Sequence, residues 1–237
     1  MSGYFITATG TDVGKTIVTA GFLRYLRKQG HNAVSMKPVQ TGAECIDGQW
    51  TAPDLEVHWK AVGVEPSDEM RALMAPFTYE PACSPHLAGR LAGHYPELAP
   101  IGDALHQLEA EYDTVLVEGA GGIYAPINET ETMLDLMKAV GYPVILVAHR
   151  GLGTINHTLL SIEVLRNAGL SIAGVVFNEV EALAPDYIKQ DNPVAIEHFG
   201  QVPILGNIDY LYDLESDPDK AWAHFEACCV GLFSLLS

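Results

Sequence analysis

Short, uniformly apolar runs alternate along the chain with longer segments whose apolar residues recur every three to four positions. Runs such as 115–117 and 144–147 contain no polar residue, which is typical of strands buried on both faces of a parallel sheet. The longer segments have the periodicity of amphipathic helices. This alternation predicts βαβ units, and therefore an α/β fold with a doubly wound, mostly parallel sheet flanked by helices.

The individual elements follow from the same pattern. Strands are predicted at residues 3–9, 33–39, 114–118, 143–148, 172–178 and 202–208. Helices are predicted at residues 15–29, 102–111, 132–140, 154–167 and 193–199, and a last helix is expected to begin at Pro218 behind an N-cap Asp217. The stretch 40–100 is rich in Pro and Gly, and we interpret it as an excursion that carries site loops within a single domain of residues 1–237.

The composition and net charge indicate which classes of binding partner the chain disfavours. The 237 residues are 48% hydrophobic and 18% charged, with 13 basic and 30 acidic residues and a net charge of −17. Such a chain is globular, and its charge disfavours nucleic acid and anionic membranes as partners. No apolar segment reaches the length of a membrane span. The four cysteines lack CxxC spacing and the histidines lack metal-like spacing, so the sequence predicts reduced thiols, no zinc site and a cytoplasmic location.

A phosphate-binding loop is predicted between the first strand and the first helix. Small residues precede Gly14-Lys15-Thr16, so that backbone N–H groups and the helix N-terminus can converge on phosphate oxygens. Lys15 can neutralise the β and γ phosphates, and the Thr16 hydroxyl can bind Mg²⁺. The strict pattern GxxxxGK[ST] requires Gly at Thr9, whereas the chain has it one residue later, at Gly10. The context nevertheless predicts a P-loop NTPase-like, three-layer sandwich that binds ATP.

Two further blocks place charged residues at strand ends. Lys37 begins Lys-Pro-Val-Gln-Thr-Gly after the second strand, where side chains face the ligand crevice of a parallel sheet. Glu118 ends a buried strand before Gly119, as a Walker-B carboxylate does, and can hold Mg²⁺. Asp54 is a further candidate ligand.

A nucleotide-switched, partner-binding ATPase of the partition and cell-division type is the alternative interpretation. Such proteins carry an additional lysine five residues before the loop lysine, and here that position is Gly10. The sequence therefore favours an enzyme over a switch.

Five ordered motifs resemble those of the dethiobiotin synthetase family, and the correspondence extends along nearly the whole chain. The family motifs Lys-Pro-Val-x-Ser/Thr-Gly, Glu-Pro-x-x-Ser-Pro-His, Val-Glu-Gly-Ala-Gly-Gly and Leu-Gly-x-Ile-Asn-His match residues 37–42, 80–86, 117–122 and 152–157. The phosphate loop is the fifth motif, and it departs from the family at Ala8, where the family has Gly.

The resemblance implies a carbon–nitrogen cyclo-ligase with ATP and Mg²⁺ as cofactors. Its substrates are 7,8-diaminopelargonate and CO₂ or bicarbonate, and the reaction passes through a carbamate and a carbamic-phosphoric anhydride to a cyclic urea. The resemblance also implies a homodimer whose substrate site lies at the subunit interface.

The same resemblance assigns roles to residues. Lys37 and Lys15 are the expected catalytic residues, and Thr41 is expected to contact the diamine or carbamate. Thr16, Asp54 and Glu118 are the expected metal ligands. The expected nucleotide contacts, with Asn178 at adenine, are Asp12, Val13, Gly14, Lys15, Thr16, Ile17, Asp54, Glu118, Gly119, Ala120, Gly121, Asn178, Pro203, Ile204 and Leu205. The block expected to receive the substrate carboxylate across the interface is Gly151, Leu152, Gly153, Thr154 and Asn156.

Overall fold

The computed structural model describes residues 2–46, 49–180 and 185–236, so both ends of the predicted domain, residues 1 and 237, lie outside it. The strands in the described ranges are β1 Ser2–Ala8, β2 Ala33–Met36, β3 Val39–Thr41, β4 Cys45–Ile46, β5 Gln49–Trp50, β6 Phe77–Tyr79, β7 Thr114–Glu118, β8 Val144–His149, β9 Ile172–Asn178 and β10 Ile204–Ile208. The α-helices are α1 Lys15–Lys28, α2 Pro53–Val62, α3 Asp68–Met74, α4 Pro85–Ala92, α5 Leu98–Glu111, α6 Met133–Val140, α7 Thr154–Asn167, α8 Asp186–Gly200, α9 Pro218–Cys228 and α10 Val230–Phe233.

The central sheet confirms the doubly wound α/β prediction. Its six strands lie in the order β10-β9-β8-β1-β7-β2, and every neighbouring pair is parallel. The order reverses direction at β1, so the loop after β1 lies at the topological switch point, where such sheets bind ligands.

Alternate residues of the buried strands supply two apolar layers. Phe5 and Val117 face the layer that includes α3, α5 and α6, whereas Ile6 and Leu116 face the layer that includes α1 and α9. Further along the first of these faces, Leu146 and Phe177 pack with residues of α7 and α8. Burial on both faces is the physical reason that these strands read as continuous apolar runs.

The predicted strand 33–39 is in fact two strands in different sheets. The backbone N–H of Lys37 donates to Met74 O at 2.7 Å, and Pro38 has no N–H to donate. The chain therefore leaves the central sheet after Met36, and β3 pairs with β6 in a separate two-stranded sheet. This departure directs Lys37 toward the carboxyl edge of the central sheet.

The stretch 40–100 contains more regular structure than its composition indicated. It forms α2, α3 and α4, and the buried side chains Leu55, Trp59 and Tyr79 pack in the same cluster as Phe5 of the central sheet. Asp54 accordingly lies in the first turn of a helix rather than in a loop.

Two predicted helices began too late in the sequence. Helix α5 begins at Leu98 rather than at Gly102. Helix α8 begins at Asp186, so Pro193 lies inside it and not at its start. Proline is common in the first turn of a helix, and this preference led to the wrong start for α8. In the described ranges, no helix has the length and apolar content that crossing a bilayer requires.

Two helical glycines offer a matched test of the packing between α1 and α9. A Cβ at Gly21 would lie 2.3 Å from the Phe225 ring, whereas a Cβ at Gly102 would meet no atom within 4 Å. We expect Gly21→Ala to lower the free energy of unfolding by about 1–3 kcal/mol through overpacking. Gly102→Ala should raise it by about 0.5–1 kcal/mol, because alanine favours a helix interior. Urea unfolding measures both, and shifts of the same sign would contradict this packing.

Candidate active site

The phosphate loop is shaped by two residues with left-handed backbone. Asp12 has φ 57° and Gly14 has φ 97°, and Gly14 is the N-cap of α1. A Cβ on Gly14 would lie 2.1 Å from the Asn178 amide nitrogen, so only glycine fits there. The loop therefore brings the N-terminus of α1, with its free N–H groups, to the carboxyl edge of the sheet.

Asn178 holds this loop from the end of β9. Its side-chain amide donates to Val13 O at 3.0 Å, and the residue is buried. This contact uses one of the two N–H donors of the amide, so the second N–H and the amide oxygen remain available to a ligand.

Lys15 is the first residue of α1 and extends back over the loop. Its Nζ donates to Gly10 O at 3.2 Å, and only 7% of the residue is exposed. The pKa of Lys15 is lowered to about 8, mainly because the amine is buried and secondly because the positive charge of Lys37 is nearby. An anionic ligand would oppose both effects and stabilise the ammonium form.

Lys37 is buried between two carboxylates. Its Nζ lies 2.6 Å from Asp54 Oδ2 and 2.7 Å from Glu118 Oε1, and it donates to Gly119 O at 3.2 Å. Burial alone favours the neutral amine, but Glu118 and Asp54 outweigh it and raise the pKa of Lys37. Burial likewise opposes the Glu118 carboxylate, but Lys37 and His58 hold the pKa of Glu118 well below its usual range. Both groups are charged at neutral pH.

His58 completes the shell around Glu118. Its Nε2 lies 3.0 Å from Glu118 Oε2, its Nδ1 lies 3.0 Å from Ser35 Oγ, and the ring is fully buried. A proton on Nε2 makes the ring a donor to the carboxylate, and the Ser35 hydroxyl can then donate to Nδ1. Oε2 is thereby engaged, and Oε1 faces Lys37 and Thr16.

Thr16, Asp54 and Glu118 fit an Mg²⁺ site. Thr16 Oγ1 lies 3.2 Å from Asp54 Oδ1 and 3.0 Å from Glu118 Oε1. Mg²⁺ binds oxygen at about 2.0–2.1 Å in an octahedron, which separates neighbouring ligands by about 3 Å. The hard oxygen donors and their spacing both match this ion.

Three cavities meet at the phosphate loop, and Asp12 lines all of them. One of about 400 Å³ contains Lys15, Lys37 and Thr41. A second, of about 910 Å³, shares Thr41 and extends along residues 82–85 and 120–125 to α7. The third, of about 580 Å³, runs from the loop past residues 149–152 to Asn178. The arrangement offers one central pocket at the phosphate loop with two arms.

The structure brings most of the predicted site residues together. Asp12, Gly14, Lys15, Thr16, Lys37, Thr41, Asp54, Glu118, Ala120 and Gly121 line the central cavity. In the block 151–156, Gly151 and Leu152 line the 580 Å³ arm, but Thr154 is buried against Thr158. Gly153 and Asn156 are exposed.

The prediction that residues 203–205 complete the nucleotide pocket is corrected by the strand direction. Pro203 and Ile204 lie at the amino end of β10, where Pro203 O accepts from Val175 N and Ile204 aligns with Val175. Leu205 is buried in the core. Asn178 aligns instead with Ile208, so the residues of β10 at the ligand edge are those that follow Ile208.

The role of His58 was not predicted from the sequence, where the only observation on the histidines was that they lack metal-like spacing. A signal was present, because His58 follows Asp54 by four residues and such positions share one face of a helix. The ion pair between Arg150 and Asp209, which joins the loops after β8 and β10, was not predicted either.

Comparison with known proteins decides the family. Residues 2–217 match a family described as AAA domain. The ATP-dependent dethiobiotin synthetase BioD of Anoxybacillus flavithermus is 41% identical over 89% of this chain and 93% of its own length. The chain belongs to the dethiobiotin synthetase family. The enzyme of the same name from Halalkalibacterium halodurans is 39% identical over 90% of this chain and 86% of its own length.

Solved structures extend the likeness of the fold beyond this family. A chain of the MinC:MinD cell division protein complex from Aquifex aeolicus superposes with a TM-score of 0.58 at 16% identity, covering 94% of this chain and 86% of its own. At that identity the likeness shows a shared P-loop architecture and nothing further.

The contact between His58 and Glu118 generates a prediction about metal dependence in this dethiobiotin synthetase homologue. His58→Leu removes the donor to Oε2, so the carboxylate loses its fixed orientation. We expect the Mg²⁺ concentration for half-maximal binding of a fluorescent ATP analogue to rise roughly tenfold or more. His58→Gln, whose amide can donate, should recover part of the loss. An unchanged Mg²⁺ requirement in a folded His58→Leu variant would refute this role.

Proposed function

We propose that this chain catalyses the ATP-dependent carboxylation and ring closure of 7,8-diaminopelargonate to dethiobiotin. Membership of the dethiobiotin synthetase family supports this reaction. The observation that carries the proposal is the buried Lys37 ammonium, which lies against Asp54 and Glu118 in the lining of a cavity that the phosphate loop also lines. A reaction between two anions requires clustered positive charge of this kind.

In the proposed reaction, CO₂ first adds to one amine of the substrate and gives a carbamate. A carbamate oxygen attacks the γ-phosphate of ATP, ADP leaves, and a carbamic-phosphoric anhydride forms. The second amine then attacks the carbamoyl carbon, closes the cyclic urea and releases phosphate. Lys15 and Lys37 offset the negative charge of the approaching groups. Thr41 supports the same assignment, because it lines both the phosphate cavity and the 910 Å³ arm.

The cofactors of this proposal are ATP and Mg²⁺. Mg²⁺ would supply positive charge to the phosphates when bound, and Thr16, Asp54 and Glu118 are the residues that would hold it. The loop residues 12–17 and the backbone of residues 119–121 receive the phosphates. The 580 Å³ arm receives the nucleoside, where the oxygen of Asn178 remains free of the loop contact.

The proposed active form is a homodimer. Leu152, in the loop just before α7, is 91% exposed, and Leu160, on α7, is 58% exposed and lines the 910 Å³ arm. A second copy packed on α7 would cover these side chains and bring residues 151–156 to the substrate carboxylate at the helix N-terminus. The four cysteines are unpaired, which supports a reducing, cytoplasmic location.

The reaction itself is tested with MgATP, bicarbonate and 7,8-diaminopelargonate. We expect a product heavier than the diamine by CO₂ less water, with one phosphate released per product, measured by mass spectrometry and phosphate assay. Phosphate release that is independent of the diamine, or stimulated by another protein instead, would favour the switch-ATPase alternative.

Variants of Lys37 separate chemistry from nucleotide binding. Lys37→Ala should lower turnover by at least about 100-fold, because it removes a cation from the reacting groups, while ATP affinity falls far less than in Lys15→Ala. Lys37→Arg keeps the charge that Glu118 needs for folding and should still lose turnover, since its planar head differs in shape. Lys28→Ala, which breaks a surface pair with Glu226, is the control. An equal loss of ATP affinity in Lys37→Ala and Lys15→Ala would move Lys37 to the nucleotide site.

Two exposed leucines test the dimer. Leu160→Asp should convert the protein to a monomer that binds ATP but does not turn over, as judged by light scattering and the assay above. Leu91→Asp alters a leucine on α4 that is 65% exposed, and it should leave the dimer intact. A wild-type monomer with full activity would overturn the proposed assembly.

A further inference from the structure

Three side chains of different chemistry face one another beyond the carboxyl end of β10. They are Asp209, which follows the strand, and His224 and Cys228, which lie one turn apart on α9. His224 Nε2 lies 3.8 Å from Asp209 Oδ2 and 3.7 Å from Cys228 Sγ. One carboxylate oxygen, one imidazole nitrogen and one sulfur thus lie within 4.8 Å of one another.

These separations are close to those of a tetrahedral zinc site. Zinc binds nitrogen at about 2.0–2.1 Å, oxygen at about 2.0–2.2 Å and sulfur at about 2.3 Å, which places tetrahedral nitrogen and oxygen ligands about 3.4 Å apart and nitrogen and sulfur ligands about 3.6 Å apart. The observed distances are a few tenths of an ångström longer, so small rotations of the side chains would close the site around an ion. Neither observed distance indicates a strong direct bond between the side chains: 3.7 Å is long for a thiol hydrogen bond, and 3.8 Å is beyond one for a carboxylate. The three atoms are therefore spaced to share an ion.

The remaining contacts of Asp209 and Cys228 are compatible with that role. Arg150 pairs with Oδ1 of Asp209, which leaves Oδ2 directed to His224. Outer contacts of this kind orient metal-ligating carboxylates. Burial raises the pKa of Cys228, and a hydrogen bond from the Asp209 backbone acts in the opposite direction, so a metal ion is needed to hold the thiolate. Cys228 is only partly buried, so an ion can reach it.

The ligand set selects the class of ion. Thiolate and imidazole favour a borderline-soft cation, whereas Mg²⁺ prefers oxygen ligands alone. Asp209 and a Cys228 thiolate together carry two negative charges, of which the ion pair with Arg150 offsets one, so the cluster retains a net negative charge for a cation. The net charge of −17 also raises the local concentration of cations around the chain.

We infer that Asp209, His224 and Cys228 form a Zn²⁺ site, with water as the fourth ligand. On binding, the thiol proton passes to solvent and sulfur bonds to the metal, with no change of oxidation state. This site is separate from the Thr16, Asp54 and Glu118 cluster. Spacing along the chain did not predict it, because Asp209 is 15 residues before His224 and the cysteine and histidine lack a familiar motif.

Cobalt is the probe that tests this inference. Untagged, metal-free protein is titrated with Co²⁺ in excess Mg²⁺, which occupies the oxygen-only site. We expect one equivalent to bind per chain with a sulfur-to-cobalt charge-transfer band in the near ultraviolet, and Zn²⁺ to displace it. Cys228→Ser should abolish the band, and His224→Ala or Asp209→Asn should weaken Co²⁺ and Zn²⁺ binding by at least about tenfold.

Cys45→Ser is the matched control, because it removes an exposed thiol elsewhere and should leave the band unchanged. Circular dichroism establishes that each variant is folded. No uptake by the wild type, a band that persists in Cys228→Ser, or equal affinity in His224→Ala would each overturn the assignment.

Discussion

Glu118 carries a carboxylate with no exposed surface, and a buried charge of this kind is stable only with partners inside the protein. Each of its partners comes from a different part of the chain. Lys37 follows β2, His58 lies on α2, and Thr16 lies in the first turn of α1. The need to pair one carboxylate therefore fixes how these elements meet at the carboxyl edge of the sheet.

The same pairing prepares the site for anionic ligands. Lys37 and Glu118 remain charged because each stabilises the other, so the desolvation of both groups takes place during folding and not during ligand binding. Lys15 differs, because burial and the charge of Lys37 weaken its proton affinity until a phosphate is present. The two lysines of the cavity therefore differ in what keeps them protonated. Lys37 is held in the ammonium form by its carboxylate partners, whereas the ammonium form of Lys15 is stabilised by an anionic ligand.

Local sequence patterns predicted the parts of the structure that depend on local causes. The apolar runs identified the buried strands, and Gly14-Lys15-Thr16 identified the loop whose shape its own backbone determines. The predictions were wrong or incomplete where a local feature depends on residues far away in the sequence. The early end of β2 depends on a contact with Met74, and the role of His58 depends on Glu118, 60 residues away. The misplacement of residues 203–205 had another origin: proximity in sequence to a strand was taken as proximity to the site, whereas in a parallel sheet only the carboxyl end faces the ligand.

A strongly acidic chain can bind the proposed anionic ligands because most of its acidic groups lie far from the cavity compared with the distance over which charges act. At physiological ionic strength, exposed charges are largely screened beyond about 8 Å, so most of the net charge of −17 acts weakly on a ligand inside the cavity. Lys15 and Lys37 act there at short range and in a site of low exposure, where screening is least. Asp54 and Glu118 do not cancel this effect, because their oxygens converge with Thr16 on a position that suits a divalent cation. With a metal ion bound there, the acidic residues of the site would add to its capacity for phosphate. The global charge disfavours nucleic acid, while the two lysines supply local positive charge to an anionic ligand.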